Sequence, residues 1–110
     1  MSVPGDICTV EIFYKGTSGS SKIRPVLVLN VVNSKYTIAE ITTVEPKDPP
    51  GYYDQYKEEI KNWKKYGLDK KSYVKCKNIH NVEGPRFVKQ IGVMDSDEFE
   101  NIVNRIMEVN

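Results

Sequence analysis

The sequence has few of the residues on which secreted proteins and metalloproteins depend. Its 110 residues include two cysteines, Cys8 and Cys76, and one histidine, His80. Neither cysteine has a histidine or a second cysteine at the spacing of a zinc site, so we expect no bound metal and no other cofactor. Residues 1–15 have no sustained apolar core of a signal peptide, so we expect a cytoplasmic protein with no membrane partner and with reduced cysteines in its core. A catalytic Cys–His pair remains open.

An excess of charge of one sign is also missing. The 16 Lys and Arg residues are balanced by 15 Asp and Glu residues, and the net charge of +1 excludes a uniformly basic nucleic-acid-binding surface. The charge is unevenly distributed, because residues 56–77 contain eight lysines and three acids, whereas residues 94–110 contain five acids and one arginine. A local basic patch is therefore still expected. The length predicts a single domain, residues 1–110.

The apolar run over residues 26–29 predicts a strand that is buried on both faces. Because Pro25 has no backbone N–H, we expect this strand to begin there and residues 15–23, which are rich in glycine and hydroxyl groups, to form a flexible loop. Arg24 then lies at the mouth of the core. Its guanidinium offers five donors that fit phosphate or carboxylate oxygens, which leaves two interpretations, an ion pair with a neighbouring acid or an anion site.

Alternation of apolar and polar residues predicts most of the other elements. Strands are expected over residues 7–14, 36–43, 72–77 and 87–93, with breaks at 33–35, 45–51 and 83–85. Thr42 lies at the end of the third strand, where its hydroxyl is free to bond the backbone or a ligand, although a β-branched residue is also favoured by strand geometry alone. Five or six short strands and one helix predict a mainly β protein with a small, strongly bent antiparallel sheet or barrel.

The helix is expected at the C-terminal end. Apolar residues at spacings of three, four and seven predict an amphipathic helix over residues 96–108. Asp95 and, three residues later, Glu98 predict an N-cap and a capping box at its start. The apolar side of this helix is expected to cover the sheet or a second subunit.

The lysine-rich segment over residues 56–66 is ambiguous. It permits a helix, or a strand as far as Ile60 followed by one short helical turn, and in both cases Gly67 is expected as the C-terminal cap. Aromatic rings interleaved with lysines suit single-stranded nucleic acid, because rings stack on bases while ammonium groups follow the phosphates. The alternative is that some of these rings belong to the core. The aromatic residues concerned are Tyr52, Tyr53, Tyr56, Trp63 and Tyr66.

Several stretches of the chain match one known family. They are Gly5-Asp6-Ile7, the stretch from Gly19 to Val28, Ala39-Glu40-Ile41-Thr42, and Lys65-Tyr66-Gly67-Leu68 with Ser72. Together they resemble the MazF/PemK toxins of type II toxin–antitoxin systems, over about residues 4–103, and the stretch from Trp63 to Leu68 is most similar to the PemK-like branch. The resemblance implies an SH3-like barrel, a homodimer, and a ribosome-independent endoribonuclease that cuts single-stranded mRNA at short motifs without a metal. It also implies an antitoxin partner whose acidic, disordered tail covers the RNA groove, and DNA binding by the complex.

The resemblance further implies roles for individual residues. Arg24 matches the family's catalytic arginine, which would hold and neutralise the phosphorane, and Thr42 matches its catalytic threonine, whose hydroxyl would add an oriented hydrogen bond. The implied products carry a 2′,3′-cyclic phosphate and a 5′-hydroxyl. The residues expected to bind RNA are Ser20, Ser21, Lys22, Thr43, Lys75, Lys77 and Asn78.

The chain departs from the family after residues 72–77. Where the family commonly has a glutamine or aspartate and then an arginine, this sequence has Asn78 and His80. His80 is therefore a secondary catalytic candidate, as base or acid, and a purely structural histidine is the alternative. Two other functions stay open. One is a CcdB-like toxin, which shares the barrel, binds DNA gyrase and catalyses nothing; the other is an inactive family member that binds RNA.

Overall fold

Six antiparallel strands form one sheet, and a single helix follows them at the C-terminal end. The strands are β1 (Asp6–Phe13), β2 (Ser21–Val32), β3 (Lys35–Thr42), β4 (Lys57–Glu59), β5 (Tyr73–Glu83) and β6 (Phe87–Val93), and the helix is α1 (Ser96–Val109). The sheet order is β4-β5-β3-β2-β1-β6, and a 3₁₀ turn at Asp54–Tyr56 precedes β4. This computed structural model describes residues 3–13, 21–52, 54–83 and 87–110, with the backbone alone at residues 12, 13, 21 and 83. In these residues no helix is long and apolar enough to span a membrane.

The predicted architecture of a small, bent antiparallel sheet with a C-terminal helix is confirmed. The pairing register shifts once between β2 and β3, once between β3 and β5, and twice between β1 and β6. Such bulges increase local twist and bend a strand. Within the described residues β4 and β6 are the edges, so this part of the sheet is bent but not closed into a barrel.

Strand β2 is longer than the sequence predicts. It begins at Ser21, so residues 21–23 of the predicted loop are strand, while residues 15–20 lie outside the described residues. Pro25 is not the first residue of the strand but lies opposite Thr9 of β1. The ladder between β2 and β3 begins only at Val26, which leaves the β3 side of Pro25 without a ladder partner. Because β2 has no partner on that side at Pro25, the missing N–H costs no ladder hydrogen bond there, and the proline does not end the strand.

The two faces of the sheet carry separate cores. The face that packs on α1, here the helix face, includes Ile7, Leu27, Ala39, Ile41 and Val74, which pack with Ile102 and Ile106 of α1. The other face, here the valine face, includes Cys8, Val10, Val26, Val28, Tyr36 and Ile38. Residues 26–28 are 0% exposed, so the predicted burial of this strand on both faces is confirmed.

Both cysteines are core residues, as predicted. Cys8 belongs to the valine face and Cys76 to the helix face, and neither forms a disulfide. Burial raises the pKa of the Cys76 thiol to about 11, so this thiol stays protonated at neutral pH. Because the thiolate is the reactive form and both side chains are buried, a catalytic Cys–His pair is not supported.

The ambiguous lysine-rich segment follows the second interpretation. A short strand, Lys57–Glu59, is followed by hydrogen-bonded turns over residues 61–67. Gly67 has a φ of +84° and ends these turns, with its N–H donating to the Lys64 carbonyl at 3.2 Å. Among the aromatic residues of positions 52–66, Tyr66 is buried in the core, Trp63 is half-buried against it, and Tyr52 is exposed. Tyr53 lies outside the described residues.

The predicted capping box of α1 is wrong, although the helix itself is confirmed. Asp95 is the N-cap, but its carboxylate makes no cap hydrogen bond and pairs with Lys65 at 2.8 Å. Glu98 bends towards the turn at residues 61–67, where it accepts hydrogen bonds from the backbone N–H of Lys61, from the Asn62 side chain and from the Tyr66 hydroxyl at 2.6 Å. A buried carboxylate is better satisfied by these donors than by one N–H at a helix end.

The segment between β3 and β4 is organised by one carboxylate. Asp54 accepts hydrogen bonds from the N–H groups of Gly51 at 2.9 Å and Lys47 at 3.3 Å, and it pairs with Lys57 at 2.9 Å. The hydrogen bond from Lys57, followed by that from Gly51, lowers the pKa of Asp54 to about 2. Lys57 also donates to the carbonyl of Val44 at 3.2 Å, which fixes the chain just after Thr42.

Because its hydroxyl is buried, Tyr66 should make the folded protein less stable at alkaline pH. Burial and the hydrogen bond to Glu98 raise its pKa to about 12, against about 10 in an unfolded chain. Its contribution to the free energy of unfolding is therefore complete below pH 10 and is lost between pH 10 and 12, at about 1.4 kcal/mol per pH unit. Urea unfolding measured across that range should show this loss of stability in the wild type, and we expect Tyr66→Phe to remove it. The exposed Tyr52→Phe control should keep it, and equal slopes for both variants would contradict this account.

Gly92 of β6 allows a close approach between β6 and the turn at residues 61–67. A Cβ at this position would lie 2.1 Å from the carbonyl oxygen of Tyr66 and 2.8 Å from its carbonyl carbon. Because backbone atoms would have to move, we expect Gly92→Ala to lower the free energy of unfolding by about 1–3 kcal/mol or more. Urea unfolding measures this. Val93→Ala, at the exposed next residue, should cost less than about 1 kcal/mol, and a Gly92→Ala protein of unchanged stability would refute the close approach.

Candidate functional site

The pairing of β2 with β3 places Arg24 and Thr42 on one face of the sheet. Val28 pairs with Ile38 and Val26 with Glu40, and Val28, Val26 and Ile38 belong to the valine face. Because side chains alternate along a strand, Arg24, two residues before Val26, and Thr42, two residues after Glu40, lie on the same face. The ladder ends at Val26 and Glu40. The two predicted catalytic residues therefore lie on neighbouring strands, just beyond the last pair.

Arg24 is half-buried and has an unsatisfied donor. Its Nε atom is buried and has no hydrogen-bond partner. Among the described residues it forms no salt bridge, so the predicted alternative of an ion pair with a neighbouring acid finds no partner there. A buried donor left without an acceptor costs about 1–3 kcal/mol. An anionic ligand could supply such an acceptor.

Thr42 is held by its own backbone turn. The side chain is 8% exposed, and its Oγ accepts a hydrogen bond from the N–H of Val44 at 3.1 Å. A hydroxyl that accepts one hydrogen bond still has its own proton to donate. On the other side of β3, Thr42 lies opposite Tyr73 of β5. The hydroxyl is thus oriented, and its proton is available to an oxygen placed next to it.

His80 lies on the same face and contacts the buried carboxylate of Glu40. It lies opposite Ile38 on β5, and its Nε2 is 2.7 Å from Oε2 of Glu40. The Glu40 side chain is 4% exposed and that of His80 is 32% exposed. Glu40 was not among the predicted site residues, although it is the one charged residue in the apolar run over residues 38–41.

A wide bulge in β5 lies beside this pair. Ala39 pairs with Ile79 and Ile41 with Val74, so residues 75–78 of β5 lie opposite Glu40 alone. Asn78 belongs to this bulge and is half-buried. The structure therefore brings Asn78 close to the His80–Glu40 pair.

The other residues predicted to bind RNA are dispersed. Lys22 is exposed two residues before Arg24, and the backbone of Ser21 begins β2. Lys75 lies opposite Lys57 of β4, and the Nζ atom of Lys77 is 5.2 Å from the ring centre of Tyr56. Ser20 lies outside the described residues.

Thr43 lines a cavity elsewhere at the same end of the sheet. The cavity has a volume of about 390 Å³ and includes Thr9, Pro25 and Ser72. By alternation Thr9 and Pro25 point away from the valine face, so Thr43 is separated from the Arg24 side chain by the sheet. Over the described part of the chain, no group of three or more His, Cys, Asp or Glu side chains is placed to hold a metal ion.

The sequence and the fold agree with one family. Residues 4–110 match the family described as PemK-like, MazF-like toxin of type II toxin-antitoxin system. The chain therefore belongs to the PemK/MazF toxin family, and the predicted resemblance is confirmed. No curated protein matches it in sequence.

Solved structures of the family are similar to this one throughout. The Mycobacterium tuberculosis toxin MazF-mt6 has a TM-score of 0.69 and 21% sequence identity, covering 94% of this chain and 93% of its own. The MazE–MazF structure from Deinococcus radiodurans has a TM-score of 0.71 and 13% identity, covering 98% and 94%. An endoribonuclease in complex with its cognate antitoxin, from a mycobacterial species, has a TM-score of 0.71 and 13% identity, covering 98% and 93%. The TM-scores and coverages establish a shared fold.

Proposed function

We propose that this protein is the toxin of a toxin–antitoxin pair and acts as a metal-independent endoribonuclease on single-stranded mRNA. The observation that carries the proposal is the placement of Arg24 and Thr42 on one face, with a buried Arg24 Nε that lacks an acceptor. The family of the chain supports the same class of activity. Cleavage of mRNA would inhibit translation and growth.

The chemistry follows from the two side chains. In the reaction the ribose 2′-oxygen attacks the adjacent phosphorus, and the 5′-oxygen of the next nucleotide leaves. The transition state carries extra negative charge on the phosphoryl oxygens, which Arg24 neutralises through a charge that cannot be lost at physiological pH. Thr42 donates its hydroxyl proton to one of these oxygens. The products carry a 2′,3′-cyclic phosphate and a 5′-hydroxyl.

Two protein partners belong to the proposal. One similar structure is an endoribonuclease in complex with its cognate antitoxin and another is MazE–MazF, and we infer a cognate antitoxin with an acidic segment here as well. Acidic side chains would compete with RNA phosphates for Arg24, Lys22 and their neighbours. A homodimer is the second part of the proposal.

Incubation of the purified protein with a mixed-sequence RNA in EDTA tests the activity. We expect cuts at a short recurring motif, with 2′,3′-cyclic phosphate and 5′-hydroxyl ends identified by mass spectrometry. Intact RNA together with co-purified DNA gyrase would replace the proposal with the CcdB-like function. Intact RNA that is nevertheless bound tightly would make the protein an inactive RNA-binding member.

Arg24 is the first residue to test. We expect Arg24→Ala to reduce the cleavage rate by about 100-fold or more, since a single donor to the developing charge is worth about that factor. Single-turnover cleavage of a short RNA that contains the motif measures the rate. Lys35→Ala, which removes an exposed cation at the start of β3, is the control and should cleave normally. An Arg24→Ala rate within twofold of the wild type would show that the role is wrong.

Substitutions at Thr42 distinguish the role of its hydroxyl from that of its side-chain shape. We expect Thr42→Val to slow cleavage by at least ~10-fold with little loss of stability, because valine keeps the β-branched shape and removes only the oxygen. Thr42→Ser keeps the oxygen and should retain most of the rate. Single-turnover rates and thermal unfolding of both variants are compared. If valine and serine behave alike, the hydroxyl has no part in the reaction.

A further inference from the structure

The His80–Glu40 pair lies where the apolar part of the valine face meets the end that carries Arg24 and Thr42. Glu40 pairs with Val26, and the next residues on that face towards the middle of the ladder, Ile38 and Val28, are apolar. A carboxylate in such a place is costly unless hydrogen bonds satisfy it. The imidazole at 2.7 Å is one of its partners, and the His80 side chain is 32% exposed.

The geometry also fixes the tautomer of the ring. An ionised Glu40 only accepts hydrogen bonds, so the proton of a neutral His80 lies on Nε2 and the lone pair on Nδ1. The same carboxylate stabilises the imidazolium that forms when Nδ1 takes up a second proton. A histidine held in this way by a buried carboxylate is arranged as a general base, with Nδ1 as the accepting atom.

The pair lies close to the proposed reaction centre. Glu40 and Thr42 are two residues apart on β3, which corresponds to about 7 Å of strand. His80, Glu40, Thr42 and Arg24 share the valine face, as the register shows. His80 lies opposite Ile38, four residues from Thr42, and its ring reaches Glu40, which lies between them. An RNA bound at Arg24 and Thr42 that extends along β3 towards Glu40 would pass this ring.

We propose that His80 is the general base of the cleavage reaction and that Glu40 is the positioning residue that holds it in the active tautomer. The inference rests on the proposed ribonuclease function. The 2′-hydroxyl proton passes to Nδ1 as the O2′–P bond forms and the P–O5′ bond breaks. The leaving 5′-oxygen takes a proton from water, and the imidazolium returns its proton to the solvent, so that protons and charge balance.

Other ionisable groups near the pair bear on its pH response. Lys22, two residues before Arg24, and Tyr73, opposite Thr42, belong to the same side of the sheet. Lys75 and Lys77 are in the bulge opposite Glu40. The ionisable residues that the register and the core place on the valine face include Cys8, Lys22, Arg24, Tyr36, Glu40, Tyr73 and His80.

His80→Ala tests the base. We expect cleavage at pH 7.5 to fall by about 100-fold or more, the usual contribution of a general base. Imidazole added to the buffer should restore part of the rate in His80→Ala and none in Arg24→Ala. A His80→Ala protein that cleaves within twofold of the wild type, with the same pH profile, would overturn the inference while leaving the ribonuclease intact. A wild-type protein that does not cleave would overturn the proposed function itself.

Glu40→Gln tests the positioning role. An amide donates as well as accepts hydrogen bonds, so it no longer fixes the tautomer of His80, and we expect kcat to fall about tenfold or more while KM stays unchanged. Glu59→Gln neutralises an exposed carboxylate that pairs with Lys71 at 3.5 Å and is the control, with unchanged kcat. A merely structural Glu40 would lower the melting temperature and leave the kcat of the folded protein unchanged, and that result would refute its role. If Glu40→Gln does not fold, the His80→Ala rate and its imidazole rescue decide the inference.

Discussion

The antiparallel pairing of β2 with β3 is the constraint on which the rest of this protein depends. Both faces of these strands are buried, with Val26 and Val28 on one side and Leu27 on the other. A shift of the register by one residue would exchange the two faces and place each side chain in the wrong core. The register is therefore fixed by packing. Arg24 and Thr42 come together as a consequence, because each is two residues from the last pair of that ladder.

Polar groups are rare on the valine face, and those present are informative. Arg24 has a buried Nε without an acceptor, and Glu40 is almost completely buried beside His80. Packing alone would favour apolar residues at such positions, since an apolar group has no desolvation cost. Elsewhere the protein satisfies its buried carboxylate fully, as Glu98 does with the turn at residues 61–67. The contrast between a satisfied Glu98 and an incompletely satisfied Arg24 separates a structural group from one arranged for a ligand.

Periodicity predicted the helix and most of the strands, because it reports burial directly, but it did not predict that β5 continues beyond Lys77 through His80 to Glu83. The start of β2 was not predictable in this way, since the effect of Pro25 depends on where the neighbouring strand β3 stops pairing. The capping box failed for a related reason: the spacing of Asp95 and Glu98 fits a local motif, but donors from a segment more than 30 residues away compete for Glu98. Arg24 and Thr42 were found through the family resemblance. Glu40 was missed because its partner His80 is distant in the sequence.

The fold does not by itself decide the chemistry of this chain. Structures of 13–21% identity share nearly its whole length, so the scaffold tolerates extensive replacement of side chains. What is particular to this protein must therefore lie in the polar residues that the scaffold holds at the end of the β2–β3 ladder. An arginine alone offers charge but no accessible base, because its guanidinium stays protonated. The His80–Glu40 pair supplies an imidazole that can accept a proton, and Glu40 lies two residues along β3 from Thr42. In the proposed mechanism, charge stabilisation and proton transfer are thereby assigned to different side chains of one face, and the register of the sheet positions them all.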